Sequence, residues 1–313
     1  CRLTSMLSGF VRLCLCFALL LQCSQSASPS PTKLGNCENP GSCADMSVAS
    51  AAQSATSSSG TFAAAVLGAT GAVGSQVLKV ICSRPQQWSR VVLVSRREIP
   101  SEALPVHDGV EIVQLTTNMN DEAELQELAA TELSGVDALF ITMGVGAPSK
   151  ATPEYLERVD VTLPTAFATG ARHAGVKYAA LLSAVDADAT ANTDSVVGKL
   201  MGTSAGGPLC VKLKGTVEEN LKNIGFDSVS AFRPAVLIGT PRTPKLTAWL
   251  QPYLDMILPA KFHGSDISTL ASAMVHDAEH ALASNRQQHQ HLEGEELHSL
   301  YREVTFAKGL GEV

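Results

Sequence analysis

Charge is scarce in this chain, and what there is does not gather. Of 313 residues only 17% are Asp, Glu, Lys or Arg, and the formal net charge is −7. The basic residues are scattered and form no stripe, which excludes a phosphate-backbone surface and gives no reason to expect nucleic acid as a partner. Cysteine is nearly absent after residue 50. Of the eight cysteines, Cys1, Cys14, Cys16, Cys23, Cys37 and Cys43 precede it and just Cys82 and Cys210 follow. Two well-separated cysteines are not a disulfide framework, and they suit a reducing compartment. No Cys/His cluster has zinc-ligand spacing, so no metal site is expected. There is no internal repeat and no heptad pattern. The apolar run Leu13–Leu21 is too short to span a membrane.

The first 60 residues stand apart from the rest. Arg12, the apolar run and Ser24-Gln25-Ser26-Ala27 fit a secretory or targeting signal with a small-residue cleavage site over residues 1–27. Against this, the chain opens on Cys1, and Met46 begins a Ser/Ala-rich stretch that leads straight into the apolar part. An upstream extension is therefore the other reading, and with it a cytoplasmic protein; a genuine signal would place it in a secretory or organellar compartment. Residues 28–60 read as a Ser/Ala-rich linker without periodicity.

With 45% hydrophobic residues, the remainder, 61–313, can bury a full core. Short apolar runs alternate with longer helical patterns, which predicts an α/β fold with a doubly wound parallel sheet of the Rossmann type. Strands are expected at Phe62–Leu67, Val91–Val94, Val110–Leu115, Ala138–Thr142, Lys177–Ser183 and Ser228–Phe232. Helices are expected at Ser75–Cys82, Asp121–Leu133, Pro153–Ala174 and Cys210–Asn223. Two more, Leu246–Leu258 and Ile267–Leu282, are expected in a small C-terminal cap on the substrate side. The stretch Asp186–Pro208 is a long polar connection, either a lid or an insertion.

Three segments carry the candidate chemistry. Gly68-Ala69-Thr70-Gly71-Ala72-Val73-Gly74 follows the first strand and opens a helix. Glycines at this spacing let the backbone turn sharply and approach a pyrophosphate, which the helix N-terminus then faces with unpaired N–H groups. The second strand ends in Ser95-Arg96-Arg97, where a NAD-preferring domain would place an acid for the ribose hydroxyl. Arginines and a serine hydroxyl there suit a 2′-phosphate instead, so the expected cofactor is NADP. The fourth strand ends in Thr142-Met143-Gly144-Val145-Gly146, small enough for a cofactor to pass close by.

With Asp137–Gly144, Arg158-Val159-Asp160, His173–Ser183, Lys214-Gly215-Thr216-Val217-Glu218 and Phe232-Arg233-Pro234, these segments resemble an atypical short-chain dehydrogenase/reductase of the NAD(P)H-binding group. Within it, the chain is most similar to the Tat-interacting-protein-like oxidoreductases, over roughly residues 61–280. The resemblance implies a Rossmann core, NADPH binding and an NADP-dependent oxidoreductase acting as a reductase on an unspecified carbonyl compound. It also implies that Ser183 and Lys214 hold catalytic positions, with Lys214 on the nicotinamide ribose and Arg233-Pro234 closing the cofactor site. Such families carry a Tyr four residues before the Lys as proton donor. Here Cys210 stands in that place, either as a degenerate catalytic position or as a small buried side chain. An alternative function follows from that departure: a non-catalytic NADPH-sensing or scaffold protein with a protein partner. The small-molecule substrate is not readable from these residues.

Overall fold

The computed structural model describes residues 62–146, 148–193, 207–241, 251, 253, 255–256 and 258–310. The segments read as leader and linker lie outside the described residues. So do residues 194–206 of the long connection and much of the helix expected at Leu246–Leu258.

Strand β1 (Phe62–Leu67) occupies the predicted span and is buried from Ala63 onward. It pairs in parallel with β2 (Trp88–Ser95) on one side and β4 (Ala138–Ile141) on the other. Adding β3 (Glu111–Thr116), β5 (Tyr178–Leu182), β6 (Ser228–Phe232) and β9 (His289–Leu292) gives one seven-stranded sheet, ordered β3-β2-β1-β4-β5-β6-β9 and parallel throughout. The chain winds outward from β1 to β3, then returns to β4 and winds the other way. Between β1 and β4 the direction of winding reverses, and in open α/β sheets the crevice outside the carboxyl ends of strands at such a reversal is the place for a ligand.

Burial on both faces explains why the strands read as continuous apolar runs. Ala64 and Val66 point into one core with Leu93, Phe140 and Ala180; Ala65 and Leu67 point into the other with Val94, Ile141 and Leu181. Helices α1 (Ala72–Cys82), α6 (Ile267–Ala283) and α7 (Gly294–Leu310) cover the first face. On the second lie α2 (Glu122–Glu132), α4 (Leu163–His173) and α5 (Gly207–Ile224). A short α3 (Pro153–Glu157) continues into α4 through one π-helical turn, Arg158–Thr162.

The C-terminal third departs from the expectation in two ways. Helix α6 packs against α1 in the core, because Leu270, Ala271, Ala273, Met274, Val275 and Ala278 bury it on most of its circumference. What lies beyond β6 as a separate element is the two-stranded pair of β7 (Val236–Ile238) and β8 (Gly264–Asp266). Second, the polar segment His289–Leu292, where no strand is expected, contributes β9 at the sheet edge. Its sequence His-Gln-His-Leu has no apolar run to announce a strand.

A buried polar cluster supplies what apolar burial does not. Asp277 of α6 accepts from Tyr178 Oη at 2.8 Å and Ser230 Oγ at 2.6 Å, and Arg286 reaches both carboxylate oxygens at 2.8 and 2.9 Å. Gln290 of β9 adds a donor to the same carboxylate at 3.2 Å. Burial alone would push the Asp277 carboxyl up, but the bonds from Arg286, Ser230 and Tyr178 and the Arg286 charge outweigh it and hold it below the ordinary carboxylate range.

Asp277→Asn leaves the Arg286 guanidinium buried without its counter-charge, and urea unfolding is expected to show a loss of about 3–5 kcal/mol. The carboxyl is depressed in the folded state, so its contribution is complete above about pH 4 and is lost as pH falls from there through the lowered folded value. The variant's stability deficit should therefore shrink on acidification; a deficit independent of pH down to acid unfolding would contradict this assignment.

Candidate active site

The glycine turn is built by backbone contacts that exclude side chains. Gly68 has φ +97°, and a Cβ on it would lie 2.8 Å from the backbone nitrogen of Met143 at the end of β4. A Cβ on Gly74 would overlap the Gly68 carbonyl and stand 2.5 Å from Thr142 Oγ1. The turn closes with Gly71 N donating to Gly68 O at 2.9 Å, and Gly71 is the N-cap residue of α1. Ala69 and Val73 are buried beneath it and Ala72 partly so, whereas Thr70 and Gly71 face solvent. Helix α1 begins at Ala72, three residues before the predicted start, with its orphan N–H groups at the open end of the crevice.

At the end of β2, Ser95 is buried and donates to the Arg97 carbonyl at 2.5 Å, which fixes the bend after the strand. Arg96 and Arg97 are exposed there. Parallel pairing of β1 with β2 ends at Leu67 and Val94, so these residues and the glycine turn leave the sheet at the same end.

The carboxyl ends of β4, β5 and β6 bring the remaining candidates together. Lys214 of α5 pairs with Asp160 in the π-helical turn (Nζ–Oδ1 3.1 Å) and also donates to the Leu182 carbonyl at 3.3 Å. Gly144 lies beside this pair: a Cβ there would be 3.3 Å from Asp160 Oδ1 and 4.0 Å from Lys214 Nζ. Ser183 follows β5 and donates its hydroxyl to Glu218 Oε1, one helical turn after Lys214. Glu218 is gripped by Arg233, with Nε at 2.9 Å from Oε1 and Nη2 at 2.5 Å from Oε2, and Arg233 Nη1 reaches Glu293 at 3.4 Å. Desolvation lowers the Arg233 guanidinium, but the bonds and charges of Glu218 and Glu293 prevail and hold it above its ordinary value. Pro234 is buried, and its carbonyl accepts from Val185 N at 3.1 Å, tying the two strand ends together.

Cys210 stands one helical turn before Lys214 on α5. It is buried in the apolar cluster with Leu213, Val217 and Leu221. Tyr178 is bonded to Asp277 at the amino end of β5, about 16 Å along the strand from Ser183. Asp160 and Glu218 belong to the quoted segments but received no role from the sequence. Each is a half-buried or buried acid on an apolar helix face, and Glu218 is spaced four residues from Lys214; those were the available signals.

A Rossmann domain with its switch-point crevice lined in this way defines a dinucleotide-fold protein. A family model described as semialdehyde dehydrogenase, NAD binding domain, matches residues 63–162. The mitochondrial protein FMP52 of Candida albicans is 26% identical over 175 residues, 56% of this chain and 66% of that protein. Protein HTATIP2 of Rattus norvegicus is 27% identical over 218 residues, 68% of this chain and 79% of that protein. The chain thus spans just under two thirds of the Candida relative. Among solved structures, the 3-oxoacyl-[acyl-carrier protein] reductase of Brucella melitensis in complex with NAD has a TM-score of 0.54 at 14% identity, covering 75% of this chain and 96% of that one. The Bordetella bronchiseptica enzyme WbmH in complex with NAD+ has a TM-score of 0.51 at 15% identity, covering 74% and 75%. At these identities the structures share the fold.

The chain is thus similar to FMP52 and HTATIP2, and over residues 63–162 to the NAD-binding domain of semialdehyde dehydrogenases, on a Rossmann-type α/β fold. Among the described residues no helix is long and apolar enough to cross a membrane.

Gly74→Ala tests the turn by itself. The added methyl meets the fixed Gly68 carbonyl as well as Thr142 Oγ1, so α1 must shift; thermal unfolding is expected several degrees lower. An unchanged melting temperature would mean that the close approach is not a constraint.

Proposed function

We propose that this chain is an NADP-dependent oxidoreductase that interconverts a small carbonyl compound and its alcohol, with the cofactor lying across the β1–β4 crevice. The observation that carries this reading is the cradle at Gly68 and Gly74, where the space a Cβ would fill is closed by backbone. It fits a pyrophosphate held by the 68–74 amides and the start of α1. Arg96 and Arg97 are assigned to the 2′-phosphate, with Ser95 shaping the bend that presents them. Gly144 leaves room beside Lys214, which has one N–H beyond its two bonded ones to offer a ribose hydroxyl. Ser183 is assigned to the substrate oxygen. Arg233 and Pro234 take a supporting place, because the guanidinium is engaged by Glu218 and Glu293. When bound, the dinucleotide supplies hydride transfer; the protein's residues bind, orient and manage the proton. Cys210 is given a packing role, not a chemical one.

The absence of a tyrosine four residues before Lys214 supports a second reading, a non-catalytic NADPH-sensing protein whose bound state selects a partner. A steady-state screen of NADPH oxidation against aldehydes, ketones and quinones separates the two. For the compartment, the apolar leader and the mitochondrial FMP52 relatives support an organelle, whereas Met46 and the cysteine usage support cytoplasm. Imaging of fluorescent fusions starting at residue 1 and at Met46 decides between them.

Fluorescence titration should show NADPH binding more tightly than NADH. Arg96→Ala and Arg97→Ala should each weaken NADPH by about 1.5–3 kcal/mol and leave NADH nearly unchanged. Equal affinities of the unmutated protein for the two cofactors would sink the NADP assignment, and failure to bind either would sink the whole reading.

A further inference from the structure

We propose that Glu218 sets the chemical class of substrate by holding the Ser183 hydroxyl as a hydrogen-bond acceptor toward the crevice, so that the site selects a neutral hydroxyl-bearing ligand over a carbonyl. This rests on the oxidoreductase reading above and concerns the same site.

Ser183 Oγ has one proton to give and two lone pairs to receive with. Its proton lies on Glu218 Oε1. A carboxylate has no proton to return, and Glu218 has its counter-charge in the two-pronged grip of Arg233, through Nε at 2.9 Å and Nη2 at 2.5 Å. Rotating the Ser183 hydroxyl toward a substrate would take from Glu218 Oε1 one of its two donors, leaving Arg233 Nε, at the cost of one charge-assisted bond. What Ser183 presents to the crevice is therefore lone pairs. A ketone or aldehyde oxygen has no proton to offer them; an alcohol has.

The surrounding charges narrow the class further. Lys214 and Asp160 neutralise each other, while Arg233 stands between two carboxylates, Glu218 and Glu293. Among the described residues, the floor around Ser183 thus carries an excess of negative charge, which disfavours a carboxylate or phosphate on the ligand. Glu218 is a positioning residue here: it acts through Ser183 and touches no ligand.

The test is binding, not turnover. The protein is loaded with NADP+, and matched neutral pairs, from isopropanol and acetone to cyclohexanol and cyclohexanone, are titrated by saturation-transfer NMR. In the unmutated protein the alcohol of each pair should bind about fivefold more tightly than its ketone, the worth of one net hydrogen bond. In Glu218→Gln the amide can donate to Ser183 Oγ and release its proton, so the preference should fall to parity or reverse. Ser183→Ala, which removes the hydroxyl without disturbing the Glu218–Arg233 pair, should abolish the preference and keeps the test decisive if Glu218→Gln does not fold. Ketones binding as tightly as alcohols, neither binding, or a preference that survives Ser183→Ala would overturn the proposal. A failure of NADP+ to bind at all would fall on the oxidoreductase reading instead.

Discussion

The backbone of the first turn meets the backbone at the end of β4 with no room for a side chain between them. Gly68 lies against Met143 N and Gly74 against the Gly68 carbonyl and Thr142 Oγ1. This close approach sets where α1 starts, and hence where its N–H groups point. It also joins the two halves of the sheet at the place where the winding reverses. Everything proposed for the crevice depends on it: Lys214, Ser183 and Gly144 reach the same space because β4 and β5 end beside that turn.

Two charge clusters then divide the labour at opposite ends of the sheet. At the amino ends, Asp277 gathers Tyr178, Ser230, Arg286 and Gln290, tying α6 and the polar edge strand β9 to the core. At the carboxyl ends, Glu218 gathers Ser183 and Arg233, and Arg233 reaches on to Glu293 just past β9. Strand β9 is thus anchored at one end by a cluster with a stabilising role and at the other by one that shapes the site. These side-chain anchors add to the backbone ladder that pairs β9 with β6.

Those clusters also explain what the sequence did and did not disclose. Strands β1 and β6 were legible to the residue, since runs such as Phe62–Leu67 and Ser228–Phe232 announce burial on both faces. The glycine turn was legible because its residue types have few other uses after a strand. Strand β9 was not, because it has no apolar run, and its pairing with β6 and its side-chain bonds join residues far apart in sequence. Helix α6 looked like part of a cap because distance along the chain says nothing of which helix it packs against. Lys214 and Ser183 could be picked out by resemblance, but their partners could not: Asp160 is 54 positions from Lys214, and Glu218 is 35 from Ser183. Cys210 shows the limit of the same method, since a helix position alone does not tell a buried thiol from one that faces a ligand.

A nicotinamide dinucleotide is proposed to lie across the β1–β4 crevice, with its pyrophosphate on the 68–74 turn. Amide hydrogen exchange with and without saturating NADPH tests it most directly. Protection is expected in the amides of Ala69–Gly74 and in those following β4, with smaller changes around Lys214. No protection in the turn, or protection confined to the β7–β8 pair and α7, would contradict the claim and move the ligand elsewhere.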